Sequence, residues 1–134
     1  MKNTVLAGSY SMALAVLLGA FGAHGLKSMV SEYSVEIFNK AVYYQVIHSL
    51  GIILGATLLK NNKAQVVLRN LFLAGIICFS GSLYFLTFSD FLNPTLKKVV
   101  GPITPIGGVF FVAAWLYLAY KSRKELNNCG SDEQ

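Results

Sequence analysis

Four long apolar segments, residues 4–23, 42–59, 71–92 and 103–120, take up most of this chain, and none of them has a charged face. Each has about the 17–25 residues that a helix needs to cross a hydrocarbon core. A helix in water keeps one polar stripe, so segments without one belong in lipid, where helices satisfy their own backbone groups. The expected fold class is therefore all-α: a polytopic membrane protein built as a bundle of four transmembrane helices. The chain has 134 residues, of which 54% are hydrophobic and 13% charged. That suits one transmembrane domain over residues 1–126, with no room for a soluble catalytic module. Residues 127–134 read as a disordered tail.

The net charge is +5. In a soluble chain that would suggest nucleic acid, but here the basic residues flank the spans, where they anchor to headgroups and set topology. No nucleic-acid partner is expected; the bilayer is. With four spans, both termini and the second loop share one side, which carries Lys2, Lys60, Lys63, Arg69, Lys121, Arg123 and Lys124. The other side carries Lys27, Lys40, Lys97 and Lys98. Seven against four places the N- and C-termini in the cytoplasm of a cell whose inner membrane the protein spans.

Lys2 followed by an apolar run and small residues also has the look of a cleavable signal peptide. Against this, Ala7, Ser11, Ala15, Gly19 and Ala23 recur at every fourth position, the stripe that a retained, tightly packed helix needs. Cys78 lies in the third span and Cys129 in the tail, so the two form neither a disulfide nor a metal or redox motif.

Residues 26–40 are more than a loop. Leu26, Met29, Val30, Tyr33 and Ile37 fall at helical spacing with Lys27, Ser31, Glu32 and Glu36 around the rest of the turn. One reading is a short amphipathic interfacial helix between spans 1 and 2. The other is a single longer helix running from about Ser34 into the second span. Further along, Gly51 and Gly55 form a GxxxG pair, and residues 60–63 form a polar hairpin that makes spans 2 and 3 antiparallel neighbours. The third span closes near Asp90 and Asn93-Pro94. The fourth opens with Pro102 and Pro105 around a first helical turn, where a missing N–H costs nothing, and then with Gly107-Gly108 for close approach.

The polar residues inside these spans are the candidate site. With the termini inside, His24, Gln45, His48, Ser80, Ser82, Tyr84 and Thr104 fall toward the outer half of the bundle, with Gln45 and His48 on one helix face. Polar groups in hydrocarbon are costly and often mark function, yet the same residues also serve to fix helix register by interhelical hydrogen bonds. Serine can bond back to its own helix as well. Two histidines with no nearby carboxylate make a poor metal set, so no metal or other cofactor is expected. No Asp, Glu, Lys or Arg lies deep in a span, which weighs against an ion-coupled transporter.

Four motifs taken in order carry a resemblance. They are Gly19-Ala20-Phe21-Gly22-Ala23-His24-Gly25-Leu26, Tyr44-Gln45 with His48, Phe79-Ser80-Gly81-Ser82-Leu83-Tyr84, and Gly101-Pro102-Ile103-Thr104-Pro105-Ile106-Gly107-Gly108. Together they resemble the YgdD/YwdK-like family of small four-span inner-membrane proteins, a domain of unknown function (423). The resemblance runs to about Tyr120 and implies a bacterial inner-membrane protein. It brings no substrate, cofactor or catalytic residue.

Three functions are in play. The first is a structural or accessory protein that binds membrane partners or a second copy of itself, favoured by the small size and the packing stripes. The second is a small-molecule or lipid transporter or channel using the outer-half cluster, which in so narrow a bundle would need an oligomer. The third, ranked last, is a membrane enzyme with His48 as acid or base. No nucleophile elbow, zinc motif or phosphate loop supports it.

Overall fold

The computed structural model describes residues 2–88, 91 and 94–131. Six α-helices follow one another: α1 (Lys2–His24), α2 (Glu32–Leu58), α3 (Asn62–Gly75), α4 (Gly81–Thr87), α5 (Pro94–Val100) and α6 (Ile103–Ser131). A π-helical turn, Ile76–Ser80, joins α3 to α4 without a break, so the two form one span. Four stretches are long and apolar enough to cross a membrane: Lys2–His24, Glu32–Leu58, Asn62–Thr87 and Lys98–Glu125. The protein is an all-α polytopic membrane protein.

The segment between spans 1 and 2 does not form a separate interfacial helix. A single 3-10 turn, Leu26–Ser28, follows α1, and α2 then begins at Glu32 and runs unbroken into the membrane span. Ser31 sets that start: its hydroxyl accepts from the N–H of Ser34 at 3.3 Å, serving a donor that the first turn leaves without a partner. No proline or glycine lies between Glu32 and Leu50, so the helix continues through the polar turns that precede its apolar part. Asn61 plays the same part for α3, accepting from Lys63 N at 2.8 Å and Ala64 N at 3.3 Å. Span 3 therefore begins nine residues before the apolar run at Leu71.

At the far end of the chain α6 continues to Ser131, past Asn127 where the sequence reads as tail. Nothing from Ile106 to Cys129 disfavours a helix except Gly107 and Gly108 near its start. Asp90 and Asn93, expected to close span 3, lie outside the described residues.

The spans pack in sequence. α1 lies along α2; α2 lies against α3, the π turn and α4; α6 lies along α3 and the π turn. α1 and α6 flank this central pair and share no substantial packing among the described residues. The main apolar core, Ile52, Leu59, Leu68, Phe72, Ile76, Phe111 and Leu118 among them, fills the seam between α2, α3 and α6.

Glycines set how closely that seam closes. A Cβ on Gly51 would meet the Phe72 ring at 2.8 Å, so the GxxxG pair is used within this chain, against α3. Gly107 is tighter still: a Cβ there would meet the backbone of Phe79, its Cα at 2.8 Å. The expected small-residue stripe on α1 needs a correction. Four-residue steps overshoot the 3.6-residue turn, so Ala7 is half-buried and Ala23 exposed, while Thr4, Gly8, Ala15 and Gly22 form the buried line.

Both termini and the α2–α3 turn share one end of the molecule, here called proximal. Two polar contacts tie it together. The Glu125 carboxylate of α6 accepts from Lys60 N at 2.9 Å, and buried Gln65 donates through Nε2 to the carbonyls of Ala56 (3.2 Å) and Leu59 (2.5 Å) that end α2.

Candidate functional site

Gln45 is the midpoint of the 27-residue α2, deeper along the helix than a span beginning at Val42 would place it. It is buried, and both ends of its amide are used. Nε2 donates to the backbone carbonyl of Ser11 in α1 at 2.9 Å, and Oε1 accepts from the Tyr84 hydroxyl of α4 at 2.9 Å. One turn along α2, Ser49 donates to the Ser11 hydroxyl at 2.7 Å. A polar layer of four side chains thus joins α1, α2 and α4, with Phe38 packed on the Tyr84 ring at 5.0 Å between centroids.

His48 faces different neighbours. Its Nδ1 lies 2.6 Å from the carbonyl of Tyr44, and because a carbonyl only accepts, Nδ1 carries the proton. The ring stacks on Phe111 of α6 at 3.4 Å between centroids and 7° between planes. Phe72 at 5.7 Å, Tyr44 at 5.8 Å and Trp115 at 6.2 Å complete an aromatic surround. Gln45 and His48 are thus both buried, but one belongs to the α1–α2–α4 seam and the other to the α2–α3–α6 seam.

A third pair sits at the start of α6. Ser82 and Thr104 place their hydroxyls 2.6 Å apart, and Ser82 also donates to the carbonyl of Phe79 at 2.8 Å. Beside it runs the π turn, in which the Gly81 N–H reaches back five residues to the carbonyl of Ile76. Ser80 closes this turn fully buried, and its hydroxyl has no partner among the described residues. His24 is exposed at the end of α1 and joins none of these groups.

The seven sequence candidates therefore divide: Gln45 with Tyr84, Ser82 with Thr104, His48 among aromatics, Ser80 alone, and His24 outside. Ser11, Ser49, Gln65 and the aromatic ring set were not among them. Ser11 was visible only as a small residue of the α1 stripe, and Gln65 only as one polar residue in a polar stretch. Among the described residues no group of three His, Cys, Asp or Glu side chains could hold a metal ion.

Four apolar spans cross-linked by buried neutral hydrogen bonds define a small polytopic membrane protein. The family described as Protein of unknown function (DUF423) matches residues 18–108, and this chain belongs to it. A UPF0382 membrane protein of Staphylococcus aureus is 42% identical over 123 residues, covering 88% of this chain and 93% of that protein. One from Staphylococcus epidermidis is 40% identical over 92% of this chain and 98% of its own length. The UPF0382 membrane protein YwdK of Bacillus subtilis is 36% identical over 94% of this chain and all of its own length. No solved structure matches.

Proposed function

We propose that this protein is an accessory or scaffolding component of the bacterial inner membrane that works by binding other membrane proteins. The observation that carries this reading is the closed hydrogen bonding of Gln45, whose amide is spent on Ser11 and Tyr84. A polar layer occupied with its own helices holds register and offers little to a passing substrate.

The outward faces supply the means of association. α1 exposes Leu6, Tyr10, Leu14, Leu17 and Phe21, and the exposed Ser9 and Ala13 sit one turn apart among them. Small residues at that spacing let another helix approach closely in lipid, where packing and hydrogen bonds replace the hydrophobic drive. A photo-reactive residue in place of Leu17, in cells, is expected to yield discrete protein adducts that Ala13→Leu removes. Adducts to lipid alone would sink the proposal.

The transport reading rests on the buried, unpartnered Ser80 hydroxyl at the π turn, a kind of helix defect frequent at functional sites. It stands second, because one hydroxyl defines no substrate. The orientation proposed with this function has both termini in the cytoplasm, on the charge bias of the loops. A reporter fused after Gln134 that is active only outside the cytoplasm would reverse it.

A further inference from the structure

The polar groups of the two seams face inward, but one basic group at the proximal end faces an open pocket. Lys2, Asn3 and Thr4, from the first turn of α1, meet Asn62, Val66 and Arg69 of α3 around a cavity of about 330 Å³. None of these six residues is acidic. Glu32 and Glu36 lie at the opposite end of α2, and Glu125 is engaged with the backbone of Lys60. Arg69 is oriented by a fork onto the Asn70 side chain, with Nε at 3.1 Å and Nη2 at 3.0 Å, which leaves further guanidinium N–H groups to donate.

Thr4 gives a second, independent sign of a ligand. It is only 2% exposed, yet it lines the pocket, and its hydroxyl has no hydrogen-bond partner among the described residues. A threonine deeper in a helix would bond a carbonyl one turn earlier, but α1 has only just begun at Lys2. The first-turn N–H groups of α1 lack helical partners for the same reason. Two cations, a buried free hydroxyl and free N–H groups around one cavity make a site for a phosphate.

We infer that this pocket binds the phosphate of an anionic phospholipid headgroup. Its place along the spans is where headgroups lie, at the starts of α1 and α3. The exposed side chain of Val66 on the wall continues toward the apolar α3 surface, where acyl chains would run. Basic pockets between spans on the cytoplasmic side are suited to such lipids.

The test uses the full chain in mild detergent, titrated with phosphatidylglycerol, with phosphatidylcholine and with inorganic phosphate, and bound species counted by native mass spectrometry. Phosphatidylglycerol is expected to be retained over phosphatidylcholine. Arg69→Gln and Lys2→Gln should each weaken it about fivefold, and Arg69→Lys less. Arg123→Gln and Lys27→Gln, elsewhere on the surface, should leave it unchanged. Lys2 is exposed on the first turn, so its variant keeps the test valid if Arg69→Gln fails to fold. Equal retention of the two lipids, equal losses in the Arg123 and Lys27 variants, or complete displacement of the lipid by inorganic phosphate would overturn the inference.

Discussion

Along the seam of α2, α3 and α6, Phe72, Leu68 and Phe111 press onto Gly51, Gly55 and Gly75, whereas the seam of α1, α2 and α4 is joined through Gln45, Ser11, Ser49 and Tyr84. Both solve the same problem. Lipid is as apolar as leucine, so helices in it associate through close packing or through hydrogen bonds rather than through escape from water. The first seam gains dispersion contact at the cost of admitting no added methyl group. The second gains a few directed bonds, each of modest worth, and leaves α1 free to present its outer face.

The largest effect is therefore expected where packing meets backbone. A Cβ on Gly107 would fall against the Phe79 Cα at 2.8 Å, and backbone within a hydrogen-bonded turn cannot swing aside. Gly107→Ala should cost about 3 kcal/mol, at the upper end for overpacking, read as unfolding in detergent by denaturant titration. Gly55→Ala should cost less, because its new Cβ meets only the tip of Leu68, which can change rotamer. Equal costs at the two sites would mean that α6 does not lie as closely on the π turn as described.

On the polar seam the expected losses are smaller and coupled. Gln45→Leu removes two interhelical bonds at about 0.6 kcal/mol each, so about 1.2 kcal/mol in the same assay. Tyr84→Phe alone should cost about half of that, and the double variant less than the sum, since both remove the one Tyr84–Gln45 bond. Strict additivity would show that the bond contributes nothing, and the contrast between the seams would then reduce to packing alone.

What the sequence made legible follows from the same physics. The four spans were readable because uninterrupted apolar runs leave lipid as the only suitable solvent. The true starts of α2 and α3 were not, because Ser31 and Asn61 cap those helices within polar stretches, well before the apolar runs. The π turn was invisible, since Ile76–Ser80 holds no residue that dictates a five-residue hydrogen bond. Chemistry-bearing residues were found, but their grouping was not. Positions 45 and 48 are one turn apart on the same helix, and only the placement of α1 and α6 around α2 sends one to Ser11 and the other to Phe111.

Between the seams lies the Ser82–Thr104 pair, which closes α4 onto the start of α6. Ser82→Ala should lower stability by about 0.6 kcal/mol, the worth of one interhelical hydrogen bond in lipid, because the neighbouring Gly107 contact remains. Thr104→Val should match it, since valine keeps the shape and loses only the hydroxyl.

The smallest effect belongs to His24, exposed at the end of α1 and outside both seams. His24→Gln should leave the unfolding of the purified protein in detergent unchanged. The same variant can be followed in native membranes by resistance to proteolysis, where α1 has whatever neighbours the cell provides. A loss confined to membranes would place His24 against a second protein at the exposed face of α1. A loss already present in detergent would instead give α1 a polar tie to its own bundle beyond Ser11, and the two seams would differ less than their contacts show.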